Sequence, residues 1–340
     1  MVKGVMRGRV GLPPLVHGGN LGAARRLFPG APEPFLDLST GINPNPYLLA
    51  ELPAEAFTKL PEPAELTRLT ALAAEAYGAP SAEHVVAAPG SQILVALAAS
   101  LVAPGTAAVL GPTYAEHARA ATVAGHKVIE TGEIDRLGEC DLAIVVNPNN
   151  PDGRIIPKHK LLALAERVRL LVLDEAFMDA GPKDESLCAA AGRGNIVVLR
   201  SFGKFFGLPG LRLSFALASP EIAARLAASF GPWPVSGAAL AIAAQALADR
   251  AWIEMTRNAL AAAAQRLDVL LGGAGLDVAG GTPLFRLVRS ESAQALFNHL
   301  GKTGILVRRF EEHPTWLRFG LPGNGKDWQR LEAAFAVFSD

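Results

Sequence analysis

The chain has no excess of charge of either sign. Its 32 basic and 32 acidic residues cancel, and no long single-sign run stands out, so the electrostatic footprint of a nucleic-acid binder or of a protein held on an anionic membrane is missing. Cysteine is scarce. Cys140 and Cys188 stand apart, without CxxC spacing or paired histidines, so neither a disulfide framework nor a zinc centre is expected and both read as buried free thiols. Long apolar runs are missing too. The amino end has a few basic residues but no apolar core of signal length, and the alanine-rich stretches are broken by Arg, Glu and Asp before reaching the length of a membrane span, so the chain reads as cytoplasmic. There is no GxxxxGK[ST] loop, which removes P-loop nucleotide chemistry, and no basic helix-turn-helix stretch, internal repeat or low-complexity region.

What remains is 340 residues, half of them apolar, enough for one large α/β domain and a smaller one. From Val85 to Ala218, strand-like runs (85–88, 107–110, 126–130, 142–146, 170–174, 196–200 and 213–218) alternate with helix-like ones, the pattern of a mainly parallel sheet between helices. From Gly237 to about Gly272 the sequence reads as one long helix or two, leading into strands at 284–288, 305–308 and 316–319. The expected division is an amino-terminal arm contributing to a small α+β domain (1–44), a large domain (45–236), and a linking helix with the rest of the small domain (237–340).

The chemistry concentrates in Ser201-Phe-Gly-Lys204-Phe-Phe-Gly-Leu-Pro-Gly-Leu-Arg212. Lys204 is able to form a Schiff base with an aldehyde; a hydroxyl three residues earlier and a guanidinium eight residues later reach one phosphate; and glycine lets backbone approach a ring. This reads as a pyridoxal 5'-phosphate site. Two upstream strands end in polar groups, as α/β ligand sites do. Asp141–Val146 opens into Asn147-Pro-Asn-Asn150-Pro-Asp-Gly153, and Leu170–Leu173 leads to Asp174-Glu175-Ala176-Phe177. A carboxylate such as Asp174 beside a protonated pyridine nitrogen keeps the ring an electron sink. Ser91 and Gln92 open an apolar helix, expected from Ile93 to Val102, after the strand 85–88; such a helix start offers amide donors to a phosphate.

In order and rough spacing, these segments resemble the fold-type I pyridoxal-phosphate enzymes, the aspartate aminotransferase superfamily, over essentially the whole chain. The resemblance implies that Lys204 carries the cofactor, Asp174 pairs with its ring nitrogen, Asn150 bonds the ring hydroxyl, and Tyr114 of Gly111-Pro-Thr-Tyr114 stacks on the ring. It also implies that Ser201, Arg212 and the amides at Gly90-Ser91-Gln92 hold the phosphate. A homodimer with a shared active site is the corresponding expectation.

On the substrate side, His17-Gly18-Gly19-Asn20 and Asp37-Leu-Ser-Thr40-Gly-Ile-Asn43-Pro44 are polar, glycine-rich groups suited to cradling an anion. With Asp-Glu-Ala-Phe they resemble the cobalamin-biosynthetic L-threonine-O-3-phosphate decarboxylases. That family is close to the histidinol-phosphate aminotransferases, whose pattern has Tyr where this chain has Phe177; the missing hydroxyl removes a donor to the cofactor oxygen. By the same resemblance Arg318 binds a carboxylate through its planar fork and Arg308 faces the phosphate, whereas Arg309 reads as a solvated strand-end charge. The expected substrate is thus a phosphorylated amino acid, contacted by His17, Gly18, Thr40, Asn43, Arg308 and Arg318.

Overall fold

The computed structural model describes residues 17–49 and 51–338; the first sixteen residues of the expected arm lie outside the described residues. In chain order the strands are β1 (Leu36–Leu38), β2 (Val85–Ala88), β3 (Thr106–Leu110), β4 (Lys127–Thr131), β5 (Leu142–Val146), β6 (Leu170–Asp174), β7 (Ile196–Ser201), β8 (Ser214–Leu217), β9 (Asp277–Thr282), β10 (Phe285–Arg289), β11 (Ile305–Phe310) and β12 (His313–Gly320). Seven of them form one sheet in the order β2-β8-β7-β6-β5-β3-β4. Its pairs are parallel from β4 through β3, β5 and β6 to β7, and β8 runs antiparallel to both β7 and β2. Strands β5 and β6 are buried along their whole length, which is why they are continuous apolar runs with no polar alternation.

Alternation along these strands divides the core and sets the site. Leu171, Leu173 and Val198 pack on one face with Leu69 and Ala73 of the helix Pro63–Tyr77. Val172, Val197 and Leu199 pack on the other with Leu94, Val95 and Ala98 of the helix Ser91–Ala99. Each fully buried leucine or valine contributes about 1.5–3 kcal/mol. By the same parity Asp174 and Ser201 lie on the side of the second cluster, and Glu175 and Arg200 on the side of the first.

The second sheet has the order β1-β11-β12-β10-β9. β1 joins it in parallel, Leu36 opposite Ile305, and the other pairs are antiparallel. Three of these strands fall where the sequence places them; β1 and β9 are not among the strands it marks. Gly280 and Gly281 give it low strand propensity, yet both are needed. A Cβ on Gly280 would sit 2.2 Å from the Asp152 carbonyl oxygen, and one on Gly153 1.9 Å from the Gly281 oxygen, so β9 presses backbone to backbone against the Asn147–Gly153 loop. The helical stretch after Gly237 is two helices, Gly237–Ala248 and Arg250–Gly273, divided at Asp249, whose side chain accepts from the Trp252 amide and caps the second. The helix expected over 93–102 instead runs Ser91–Ala99, because the amides of Ser100 and Leu101 turn back to Leu97 and Ala98 in a tighter final turn. Among the described residues no helix is long and apolar enough to cross a membrane.

Candidate active site

The ends of three neighbouring strands make an anion cradle. Ser214 of β8 lies opposite Ser201 of β7 on one side and Ala88 of β2 on the other. Two residues past Ala88, Gly90 (φ 92°) precedes the helix Ser91–Ala99, whose first amides lack intrahelical partners and carry the positive end of the helix dipole. Glycine is favoured at position 90 by its positive φ, and an added Cβ would lie 2.4 Å from the Arg212 Nη2 and displace the guanidinium. That close approach brings the guanidinium to the helix start. Arg212 is the one non-glycine with positive φ (51°) among the described residues, at a cost of roughly 1–3 kcal/mol, and its Nη1 donates to the Pro209 carbonyl (3.3 Å). Ser201 is buried at the start of the four-residue helix Phe202–Phe205. Helix-start amides, a serine hydroxyl and a guanidinium form a donor set that fits a phosphate monoester.

Lys204 follows within one turn. Burial, with Arg318 and Arg212 nearby, pulls its amine down to about 8 against the opposing pull of Asp174. Its Nζ lies 5.7 Å from the centre of the Phe177 ring. The cofactor-capture rate of the apoprotein is therefore expected to climb as pH rises through about 8 and level off above it, because the neutral amine is the nucleophile; stopped-flow absorbance on adding pyridoxal phosphate measures this. A rate flat between pH 6.5 and 9.5 would contradict the environment described for Lys204.

Asp174, at the end of β6, is buried; its Oδ1 accepts from the Ala176 amide (3.0 Å) and its Oδ2 from His117 Nε2 (2.9 Å). The sequence reading did not include His117. Its signal was spacing, since it stands three residues after Tyr114 at the start of the helix Glu116–Val123, the separation that puts two side chains on one side of a turn. The Tyr114 ring meets His117 edge-on at 5.9 Å, its hydroxyl donates to Gln92 Oε1 (3.2 Å), and burial pushes it up to about 12, helped by Glu116 and Asp174. Phe177 packs edge-on against Phe285 at 5.0 Å.

Opposite these groups stand the arginines of the second sheet. Arg308 and Arg318 are direct cross-strand partners on β11 and β12, an unfavourable like-charge pairing unless an anion lies between them. Arg318 is buried and donates to Asn150 Oδ1 through Nη1 and to the Ser39 carbonyl through Nη2 (3.0 Å), with Nε lacking a partner among the described residues. No carboxylate of the described residues lies within ion-pair reach of it. Burial first, and Arg308 second, lower its guanidinium to about 9 against the pull of Asp37. Arg308, half-buried, is lowered mainly by burial while Glu311 and Tyr114 pull the other way. Arg309 instead lies 5.0 Å over the Phe297 ring.

The amino-terminal arm closes this side. Gly18 passes so near Ser39 that a Cβ would meet its oxygen at 2.3 Å, the Gly19 amide donates to Ser39 Oγ (2.7 Å), and the Thr40 methyl lies beside Gly19. His17 Nε2 bonds Glu116 Oε1 (3.0 Å), and Gln92 Nε2 donates to Glu116 Oε2 (3.1 Å). Glu116, absent from the sequence reading, thus links the arm to Gln92 and Tyr114. Asn43 is placed differently from the other arm residues. It is buried, its Nδ2 donates to the Phe205 carbonyl (2.9 Å), its Oδ1 accepts from the Asn45 amide, and its own amide donates to the Lys204 carbonyl (2.9 Å). Its polar groups are spent on holding the lysine loop.

Comparison with known proteins agrees with this geometry. Residues 52–335 match the family model described as aminotransferase class I and II. A threonine-phosphate decarboxylase of Pseudomonas aeruginosa is 43% identical over 333 residues, covering 96% of this chain and 98% of that protein. A histidinol-phosphate aminotransferase of Mycobacterium bovis is 33% identical over 61% of this chain and 60% of its own length. Among solved structures, a histidinol-phosphate aminotransferase from Sinorhizobium meliloti in complex with pyridoxal-5'-phosphate superposes with a TM-score of 0.81 at 20% identity, covering 98% of this chain and 97% of that one, a likeness of fold. With its mainly parallel sheet, its lysine loop and this match across most of its length, the chain belongs to the aminotransferase class I and II family.

Proposed function

We propose that this protein is a pyridoxal-phosphate-dependent carboxy-lyase that converts L-threonine O-3-phosphate to (R)-1-amino-2-propanol O-2-phosphate and carbon dioxide, a step of cobalamin biosynthesis. The observation that carries the reading is the cross-strand pair Arg308 and Arg318, two cations placed for a substrate with two anionic ends. The full-length similarity to a threonine-phosphate decarboxylase supports it.

Bound cofactor supplies the electron sink for the pair left behind when carbon dioxide departs. The protein's own groups do the rest. Ser201, Arg212 and the amides of Gly90, Ser91 and Gln92 would hold the cofactor phosphate. Asp174, steadied by His117, would keep a proton on the heterocyclic nitrogen; Asn150 would bond the ring hydroxyl, and Tyr114 would supply the aromatic contact to the ring. Arg318 takes the substrate carboxylate and Arg308 its phosphate, with His17, Gly18 and Thr40 on the arm side. Holding both ends would fix rotation about the substrate Cα–N bond and so select the bond from Cα to the carboxylate over the C–H bond. Lys204, whose amine lies near 8, is matched to delivering the replacement proton to Cα. Asn43 positions the Lys204 backbone and does not reach the substrate.

A homodimer of cytoplasmic protomers is part of this reading. Supporting the homodimer, Leu48, Leu49, Phe57, Leu60 and Trp233 are large apolar side chains left exposed, and the segments carrying Phe57 and Trp233 meet near where Gly237 packs on the Ala56 carbonyl. The partition into residues 1–44 with 237–340 around the second sheet and 45–236 around the first is the domain organisation proposed with it.

The deciding experiment incubates purified protein and pyridoxal phosphate with L-threonine O-3-phosphate and no oxo acid. Stoichiometric carbon dioxide and aminopropanol phosphate are expected. No carbon dioxide, together with glutamate consumption when imidazole-acetol phosphate is supplied, would assign the chain to histidinol-phosphate-type amino transfer instead.

A further inference from the structure

Directly behind the site, on the opposite face of the first sheet, lies a buried charge cluster to which the reaction gives no role. Glu175 follows Asp174 at the end of β6, and Arg200 precedes Ser201 on β7. Glu175, fully buried, accepts from four donors: Ser186 Oγ (2.6 Å), the Leu187 amide (2.8 Å), Arg200 Nη1 (3.0 Å) and, more distantly, the Cys188 thiol (3.7 Å). Arg200 also bonds Asp179 through Nη2 and lies 4.5 Å over the Tyr77 ring. The guanidinium of Arg200 on β7 thus joins the turn after β6 and the helix Pro63–Tyr77, and the helix Arg250–Gly273 is tied in through Arg257, whose Nε donates to the Asp179 carbonyl (2.8 Å).

The arrangement is expensive to break, and it is kept although Tyr77 Oη, Asp179 Oδ2 and Arg200 Nε lack hydrogen-bond partners among the described residues. Burial pulls the Arg200 guanidinium down, but the carboxylates of Asp179 and Glu175 hold it charged, and burial with Glu175 pushes the Cys188 thiol up to about 12, leaving it neutral. A buried charge whose partner is removed is strongly destabilised. The pairs tie β6 to β7 one residue away, in each strand, from the groups assigned to the cofactor. Alternation then sends each neighbour to opposite faces: Glu175 and Arg200 behind, Asp174 and Ser201 in front.

We propose that Glu175, Arg200 and Asp179 are positioning residues that fix the spacing between Asp174 on one strand and Ser201 with Lys204 on the next, and so set how tightly and in what orientation the cofactor is held. This rests on the reading of those three front-face residues as cofactor ligands. The test is Glu175→Gln, which sets an amide donor among groups that are themselves donors. Expected are a roughly tenfold weaker pyridoxal-phosphate affinity and a kcat lower by on the order of 100-fold, as small misplacements of reacting groups produce. The induced circular dichroism of bound cofactor should be weakened, and KM, set by arginines on the other sheet, unchanged. A variant with a lowered Tm but wild-type cofactor affinity, dichroism and kcat would show a merely structural cluster and overturn the proposal. If Glu175→Gln yields no soluble protein, the decision passes to Asp179→Asn, which keeps side-chain shape and the Arg200–Glu175 pair: the same three changes in smaller measure support the proposal, and their absence overturns it. Wild-type protein that captured no pyridoxal phosphate would instead overturn the underlying site reading and this inference with it.

Discussion

Replacing Lys204 by alanine is expected to reduce decarboxylation by roughly ten-thousandfold or more, the scale seen when a covalently acting residue is removed, and to abolish the long-wavelength absorption of bound cofactor. The variant should still dock the cofactor phosphate, since Ser201, Arg212 and the helix start at Ser91 are untouched. The same substitution has a second, independent signature in the apoprotein. The folded-state value of about 8 lies below the ordinary lysine value of 10.5, so between those two pH values the unfolded chain binds more protons than the fold. Wild-type apoprotein should gain stability as pH rises across that window, and the alanine variant should lack this gain. Denaturant titrations at pH 7.5 and 10 read it directly. Retained turnover, or an identical pH response in both proteins, would remove Lys204 from the centre of the site.

Arg318→Leu is the second large effect. A buried charged anchor lost from a complex costs about 2–5 kcal/mol, so kcat/KM for threonine phosphate should fall by roughly 30-fold to a few thousandfold, mostly through KM. Arg318→Lys should recover little, because a point charge cannot reproduce the fork that now reaches both Asn150 and Ser39. Arg318 is also the largest electrostatic influence holding the Lys204 amine down, so the leucine variant should shift the midpoint of cofactor capture to higher pH. Unaltered kcat/KM would place the substrate carboxylate elsewhere; a capture midpoint that stayed put would separate the two residues.

Much of this site was legible because parallel strands advertise themselves. An unbroken apolar run ending in a charged or polar residue, as at Asp174 and before Asn147, marks both a buried strand and the point where it opens to a ligand. The Ser201 hydroxyl and the Arg212 guanidinium on either side of Lys204 carried the phosphate reading. Legibility failed where a partner comes from a different run. His117 meets Asp174 across 57 residues, and Glu116 joins the arm to the sheet through His17; the spacing of His117 from Tyr114 puts both on one turn, but local pattern names neither distant partner. Asn43 was grouped with the substrate because its neighbours are polar and glycine-rich; its Nδ2 and its amide bond the Phe205 and Lys204 carbonyls more than 160 residues away, and its Oδ1 the nearby Asn45 amide, partners that local pattern does not announce. Strand β9 escaped because its two glycines serve a close approach to another loop and suppress the strand signal that would have announced it. The Glu175–Arg200–Asp179 cluster was hidden for a similar reason: each member sits beside a residue whose chemistry drew the reading to the front of the sheet.

The facing arginines of β11 and β12 have a consequence for cohesion as well as for recognition. Two guanidinium groups at one cross-strand position repel each other. An anion held between them would reverse the sign of that contact. On the substrate role proposed for these arginines, occupancy of the site would also draw β11 and β12 together, so that binding and local cohesion would rise as one.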